Sequence, residues 1–464
     1  MVFSSPIFVF AFLPLLLSLY YFVNIKIKNI LLIIFSLVFY AWGEPKYCLI
    51  MILVVLADYV FARLIHSQQK YKYFYLMLAI ISNIGILVYY KYTGFLVSNV
   101  SSLFGLNLTI PFIELPIGIS FFTFQAMSYV IDVYRHDVEV QKNPFYVLLY
   151  VSLFPQLVAG PIVRYKTVES EIIKRSISRD DIIYGLERFI TGLFKKVIIA
   201  NQTGALADVV FGYHDLSSPA VLLGAIAYTL QIYFDFSAYS DMAIGIGRML
   251  GFHFEENFDY PYVSKSITEF WRRWHISLST WFRDYVYIPL GGNRKGVTRQ
   301  VINLFIVWSL TGIWHGASWN FLLWGLFYFL ILIVEKFFLK KYIEKLPLFF
   351  QHSYVLILVM IGWILFRSES LNQCFYFIGK LFDFNLYNPS VAYIPGLLSK
   401  YGIYVILGII FSTRIYQKIR IYVTHHKSMF VNTGVYYLSM LVIYYITIIY
   451  LVNSTYNPFI YFRF

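Results

Sequence analysis

Cysteine is nearly missing from this chain: Cys48 and Cys374 are the only two in 464 residues. Two thiols, each beside an apolar run, build neither a disulfide framework nor a cysteine-based metal site, and both are read as packing residues. Charge is scarce as well. Lys, Arg, Asp and Glu make up 13% of the chain, against roughly 25% in soluble domains, which excludes an ordinary water-soluble protein. Acidic residues are the scarcer kind, 24 against 37 basic ones, leaving a net charge of +13. Such a surplus suits nucleic acid, but the basic residues fall in short loops between apolar runs. That is the positive-inside pattern of a membrane protein, so nucleic acid is not an expected partner. Internal repeats and low-complexity linkers are also lacking. The opening Met1-Val2-Phe3-Ser4-Ser5-Pro6 has no basic stretch of a secretory signal, so the first apolar run is expected to be a retained span.

What remains is apolar: 59% of residues are hydrophobic and 21% aromatic. Repeated runs of about 20 such residues mark a polytopic membrane protein. The spans are expected at 6–24, 28–43, 47–66, 73–90, 115–132, 145–163, 219–237, 301–322, 323–339, 353–367, 399–413 and 433–453. All are read as helices, because an unpaired backbone group in lipid is too costly to leave open. The spans pack side by side, so 1–464 is expected to form one integral domain.

Orientation follows from Lys and Arg. Lys26, Lys28, Lys70, Lys72, Arg164, Lys166, Lys174, Arg175 and Arg179 mark one side, and Lys340, Lys341, Lys345, Arg414, Lys418, Arg420 and Lys427 mark it again later. The loop-charge rule makes that side cytoplasmic and puts both termini outside. Region 240–300 mixes Trp, Arg, Asp and Gly291-Gly292 with apolar residues. It is expected to form re-entrant or interfacial helices walling a cavity, since irregular backbone at membrane depth survives only under protein or water. Segment 182–203 reads as an amphipathic helix on the cytoplasmic face.

Two histidines stand out. His315 lies inside Thr311-Gly312-Ile313-Trp314-His315-Gly316-Ala317-Ser318-Trp319-Asn320-Phe321, and His275 inside Arg272-Arg273-Trp274-His275-Ile276-Ser277-Leu278-Ser279-Thr280-Trp281. A charged side chain at membrane depth costs roughly 2.5–3.5 kcal/mol on insertion scales, so an ionisable residue there points to function. A buried imidazole is expected to stay neutral and can take a proton from a hydroxyl nucleophile, an effect of roughly 10²–10⁴ in rate. On a continuous helix Trp319 would cover His315 from i+4. His275 can position a substrate, polarise a carbonyl or hydrogen-bond His315. The bland alternatives are a satisfied core histidine at 315 and an interfacial one at 275. Two histidines without a nearby carboxylate leave zinc the weakest reading, because a metal needs three or four ligands.

A second anomaly is Gln231-Ile232-Tyr233-Phe234-Asp235-Phe236-Ser237-Ala238-Tyr239-Ser240-Asp241. Gln231, Asp235 and Tyr239 form one stripe at i, i+4 and i+8, and Ser237 and Asp241 form another beside it. The stripe should face the protein interior, either lining a substrate channel or joining helices as a structural network. Arg272, Arg273, Arg283, Arg294, Lys295 and Arg299 could receive the phosphates of an anionic acyl donor, although topology alone also predicts cationic loops there. The chain ends in Phe459-Ile460-Tyr461-Phe462-Arg463-Phe464. Tyr461 either carries an acyl group on its phenol or anchors the tail at the interface.

The two histidine motifs, read with Phe154-Pro155-Gln156-Leu157-Val158-Ala159-Gly160-Pro161, the Asp235–Asp241 stretch and Gly362-Trp363 to Phe366-Arg367, resemble the membrane-bound O-acyltransferase (MBOAT) family. The likeness is greatest to its bacterial polysaccharide O-acetylation branch and runs nearly end to end. The resemblance implies an all-α ring of about 11–12 transmembrane helices with re-entrant helices around a central funnel. It implies a catalytic region at about 219–325 and an acceptor-like tail at 455–464. It makes His315 the essential histidine and His275 its companion. Gln231, Asp235, Tyr239, Asp241, Arg272, Arg273, Trp314, Trp319 and Asn320 are the residues expected to bind substrate. No bound cofactor is implied. An acyl thioester, acetyl-CoA or an acyl carrier protein, is the donor substrate, and an SGNH-type acyltransferase outside the bacterial inner membrane is the partner. Tyr461 falls on the position of a proposed acyl relay. In the mechanism expected to follow, His315 is the general base while His275 and nearby donors stabilise developing negative charge. Two rivals remain at this stage: D-alanyl transfer to teichoic acid and a proton-coupled transporter or flippase.

Overall fold

The computed structural model describes residues 1–109, 113–213, 215–383, 388–415, 417–419 and 429–460. Among them every regular element is helical, and no strand occurs. By contacts the chain forms two compact units, residues 1–189 with 242–255, and residues 190–241 with 256–464.

The first unit contains α1 (Leu13–Tyr21), α2 (Ile25–Ala41), α3 (Pro45–Ser67), α4 (Lys72–Leu87), α5 (Thr93–Phe104), α6 (Ile119–Arg135), α7 (Pro144–Ser152), α8 (Phe154–Leu157) and α9 (Tyr165–Ile173). Local chemistry sets several boundaries. Asn24 caps α2 by accepting from the Ile27 amide, Pro45 opens α3 where no amide donor is needed, and Gly105 ends α5 in a left-handed conformation. Helices α3, α4 and α6 pack on one another. Buried Asp58 on α3 accepts from the side-chain amide of Asn83 on α4 with both oxygens at 2.9 Å. The outer face of α3 exposes Leu49, Leu53, Leu56 and Val60, an apolar stripe suited to lipid.

One expected span is not a span. The stretch 145–163 breaks at Leu153, whose ψ of 110° is not helical. After α8 the chain has no regular structure from Val158 to Arg164. Pro155 has no amide hydrogen to continue the preceding helix and instead stands in the first turn of α8. Gly160 lies so close to Gln156 that a Cβ there would sit 2.4 Å from its Cα. Residues 158–163 are all buried, as irregular backbone in such a protein must be. Its composition is apolar enough to pass for a helix; only its Pro and Gly reveal the break.

Helix α10 (Arg179–Phe194) continues through a π-helical stretch, Lys195–Ala200, into α11 (Asn201–Phe211). Helix α12 (Ser218–Leu250) is longer than the expected 219–237 and gives its last residues, from Met242 on, to the first unit. The second unit then holds α13 (Ile267–Arg273), α14 (Ile276–Phe282), α15 (Val297–His315), α16 (Trp319–Val334), α17 (Lys340–Ile343), α18 (Leu348–Arg367), α19 (Leu371–Leu381), α20 (Ile394–Phe411) and α21 (Met429–Asn453). Between α12 and α15 the chain thus holds two short α-helices, a 3-10 turn at Pro261–Val263 and a π-helical turn at Arg283–Tyr287.

Among the described residues seven helices are long and apolar enough to cross a membrane: Pro45–Ser67, Gln69–Phe104, Ser218–Leu250, Trp319–Ile343, Leu348–Arg367, Ser390–Phe411 and Gly434–Asn453. Shorter or less apolar helices occupy other expected spans, at Leu13–Tyr21, Ile25–Ala41, Ile119–Arg135 and Val297–His315. The chain is therefore an all-α, multi-pass membrane protein.

Candidate active site

Helix α13 is held at both ends. Ser266 accepts from the Glu269 amide at 3.0 Å, and Glu269 reaches back to the Lys265 amide at 2.9 Å, a capping box. Buried Glu335 adds a carboxylate to the same terminus, accepting from the amides of Ile267 and Thr268 at 2.7 and 2.9 Å. At the other end Arg273 pairs with Asp259 at 2.6 Å and Glu269 at 2.8 Å. The turn that follows puts His275 in the left-handed region at φ 45°. This is an uncommon conformation for a residue with a Cβ, and such residues cluster at functional sites.

His275 is 1% exposed. Its ring meets Phe236 edge-on at 4.5 Å and Trp314 at 6.1 Å. Its Nδ1 lies 3.1 Å from Asn257 Oδ1, and its Nε2 has no hydrogen-bond partner among the described residues. Burial away from water disfavours the imidazolium ion and pushes this pKa down to about 3.

His315 is the last residue of α15 and is 6% exposed. Three aromatic rings surround it edge-on: Trp314 and Trp324 at 4.9 Å and Phe366 at 5.1 Å. The expectation that Trp319 covers it from i+4 is corrected. The helix stops at His315 because Gly316 is fully extended, at φ −174° and ψ 157°, and Trp319 opens the next helix, half-exposed. A Cβ at Gly316 would lie 2.2 Å from the Phe321 ring, so the turn needs glycine. Helices α15 and α16 also approach closely through Gly312 and Gly325. A Cβ on Gly312 would sit 2.4 Å from the Phe321 carbonyl oxygen, and one on Gly325 2.3 Å from that of Trp308.

Both histidines line one cavity of about 340 Å³. Its walls are largely aromatic and aliphatic, including Trp271, Trp274, Leu278, Phe282, Val307 and Trp308. At its exposed end stand Arg272, Arg283 and Lys336. The pocket therefore runs from two buried imidazoles to a cationic surface. Among the described residues no group of three or more His, Cys, Asp or Glu is placed to hold a metal ion.

The remaining expected substrate residues sit elsewhere. Arg273 is committed to its two carboxylates, and Asn320 donates to the Ser368 carbonyl at 2.5 Å. Trp314 packs between the two histidine rings. The α12 stripe faces the chain's own C-terminal segment. Asp235 accepts from Lys196 at 2.5 Å and from the Ile460 amide at 2.7 Å; Lys196 also donates to the Pro458 carbonyl. Tyr239 stacks on Phe459 at 5.0 Å, and Asp241 pairs with Lys195 at 2.7 Å. Gln231 is buried beside Gly204. Tyr456 donates to Asp208, whose other oxygen holds Arg367 at 2.7 Å. Tyr461 lies outside the described residues.

Sequence reasoning missed Asn257, Glu335, Lys336 and Trp324. Glu335, a lone carboxylate at the end of an apolar run, carried a usable signal.

A bundle of apolar helices with buried histidines in a cationic-mouthed cavity defines an integral membrane enzyme. The profile of the MBOAT, membrane-bound O-acyltransferase family matches residues 47–378. The chain is 41% identical over 394 residues to the probable alginate O-acetylase AlgI of Pseudomonas putida, covering 83% of this chain and 81% of the relative. It is 34% identical over 413 residues to the peptidoglycan O-acetyltransferase of Helicobacter pylori, covering 80% and 78%. The teichoic acid D-alanyltransferase of Bacillus subtilis is 31% identical over 245 residues, 48% of this chain and 60% of the relative. The chain belongs to the MBOAT family, in its bacterial polysaccharide O-acetylation branch, and is an O-acetyltransferase.

Proposed function

We propose that this protein takes an acetyl group from a cytoplasmic thioester, acetyl-CoA, and passes it to a hydroxyl on the far side of the membrane, for O-acetylation of an extracellular or cell-wall polysaccharide. One observation carries the reading: two buried imidazoles share a cavity whose exposed end is cationic. The apolar walls suit a pantetheine arm, and Arg272, Arg283 and Lys336 suit phosphate. The names of the relatives support alginate-like polymer or peptidoglycan as the acceptor.

In this mechanism His315 removes the proton of the acceptor hydroxyl as its oxygen attacks the thioester carbonyl carbon. The tetrahedral intermediate collapses with loss of the thiolate, which takes the proton from His315. An oxygen ester and a free thiol leave, and the imidazole is restored. The proposed acceptor is the Tyr461 phenol, which then hands the acetyl group to an SGNH-type transferase outside. Its support is the seat of the preceding residues, with the Ile460 amide held by Asp235 and Phe459 packed on Tyr239. The excess of Lys and Arg in alternate loops supports an inner-membrane orientation with both termini outside. The polar α12 stripe, which also suited a transporter, is occupied by the tail and so lends that rival nothing.

The test uses proteoliposomes of one orientation with acetyl-CoA on one side only. Free thiol should appear when the donor meets the face carrying Arg272 and Lys336. Tyr461→Phe should keep donor binding and lose acetyl transfer. Donor consumption from the opposite face, or undiminished transfer by the Phe variant, overturns the corresponding part.

A further inference from the structure

We propose that Asn257 fixes His275 as its Nδ1–H tautomer, making His275 Nε2 a hydrogen-bond acceptor in the cavity instead of a donor. The assignment follows from who can donate to whom. Asn257 is fully buried. Its Oδ1 receives the Ser277 amide at 3.2 Å and the Ser277 hydroxyl at 2.9 Å, and a backbone N–H can only donate. The atom facing Ser277 is therefore the carbonyl oxygen, and the Nδ2 end donates to Ser240 Oγ at 3.1 Å. The same oxygen lies 3.1 Å from His275 Nδ1, nearer than the Ser277 hydroxyl at 3.5 Å, whose proton goes to Asn257 Oδ1 at 2.9 Å. A carbonyl oxygen has no proton to give, so His275 Nδ1 carries it. A neutral imidazole protonated there has its lone pair on Nε2.

Asn257 holds the whole turn, not the ring alone. Its main-chain oxygen accepts from the Ile276 amide at 2.9 Å, so residues 275, 276 and 277 all bond to this one asparagine. That grip keeps His275 in its left-handed conformation and its ring edge toward the cavity. The rings packed on it, Phe236, Phe258 and Trp314, carry no charge. The ionisable groups sharing its cavity are His315, Arg272, Arg283, Lys336 and Tyr287. A buried acceptor with no partner among the described residues is a place for a reactant's O–H or N–H. On the acyl-transfer reading above, on which this rests, His275 orients a donor group of the acceptor or of the thioester arm. It does not hydrogen-bond the oxyanion, the role first expected of it. Asn257 is then a positioning residue.

The test has two arms on the full-length protein in lipid. The first reads the tautomer without any reaction: solid-state nitrogen NMR of histidine-labelled protein, with His275→Ala spectra subtracted. The expected result is a protonated Nδ1 and a bare Nε2; a protonated Nε2 overturns the proposal whatever the enzyme's substrate. The second arm follows thiol release from acetyl-CoA. Asn257→Leu should lower kcat at least tenfold with KM for acetyl-CoA within twofold. Asn257→Asp keeps an oxygen toward Nδ1 but adds a charge that favours imidazolium, which has no lone pair to accept with. Its activity should fall at least tenfold relative to wild type at the acid end and peak at higher pH. Activity of Asn257→Asp that rises toward acid, or a loss in both variants with an unmoved pH profile, contradicts the acceptor role. Wild-type protein that releases no thiol while showing the expected tautomer faults the acyl-transfer reading alone.

Discussion

Chemistry here concentrates in a few side chains whose surroundings decide what they do. His315 sits at a helix end with the rings of Trp314, Trp324 and Phe366 edge-on around it. His315→Ala is expected to lower kcat for thiol release by about 10²–10⁴ with little change in KM for acetyl-CoA, because its proposed role is to take the acceptor's proton and not to hold the donor's phosphates. Steady-state kinetics in lipid checks it, and a rise in KM alone would make His315 a binding residue. Both histidines were legible because an ionisable residue inside an apolar run has few ordinary explanations. Asn257 was not. One amide in a loop of mixed polarity carries no periodic signal, and its hub of bonds to 275–277 exists only once the loop folds back. Arg272 and Arg273 show the same limit: adjacent in sequence, one lines the cavity and the other is spent on Asp259 and Glu269.

Among the helices, hydropathy located most elements and misjudged those where close approach matters more than apolarity. The stretch 145–163 reads as a span and is broken by Pro155 and Gly160, while the boundary between α15 and α16 lies at Gly316, several residues before the expected 322. Packing of α15 on α16 depends on Gly312 and Gly325, where either Cβ would run into backbone of the other helix. Gly312→Leu is expected to push the two helices apart at a cost of about 1–3 kcal/mol or more and to displace His315 one turn away. A drop of the thermal midpoint in detergent together with loss of thiol release is the expected result. A variant as stable and active as wild type would mean that the contact does not position the histidine.

Over the whole chain, the polar stripe of α12 had two open readings, a substrate channel or a structural network. The structure gives it the C-terminal segment as its occupant. Such a contact joins residues more than two hundred positions apart, which no local pattern reveals. Asp235 and Lys196 form a buried ion pair that also grips the main chain at Pro458 and Ile460. Removing one partner leaves the other charge buried alone, at a cost of roughly 3–5 kcal/mol. Asp235→Ala should therefore release the tail, seen as faster hydrogen exchange at 456–460 than at α15; unchanged protection there would show that the pair does not hold the segment. The account as a whole turns on group transfer at His315. The most direct measurement supplies doubly labelled acetyl-CoA and a soluble hydroxyl acceptor to the reconstituted protein, and counts acetyl ester formed against free thiol released. The account predicts one ester for each thiol, with both lost in His315→Ala. Passage of label across the membrane without thiol release, or equal yields from the Ala variant, would contradict it.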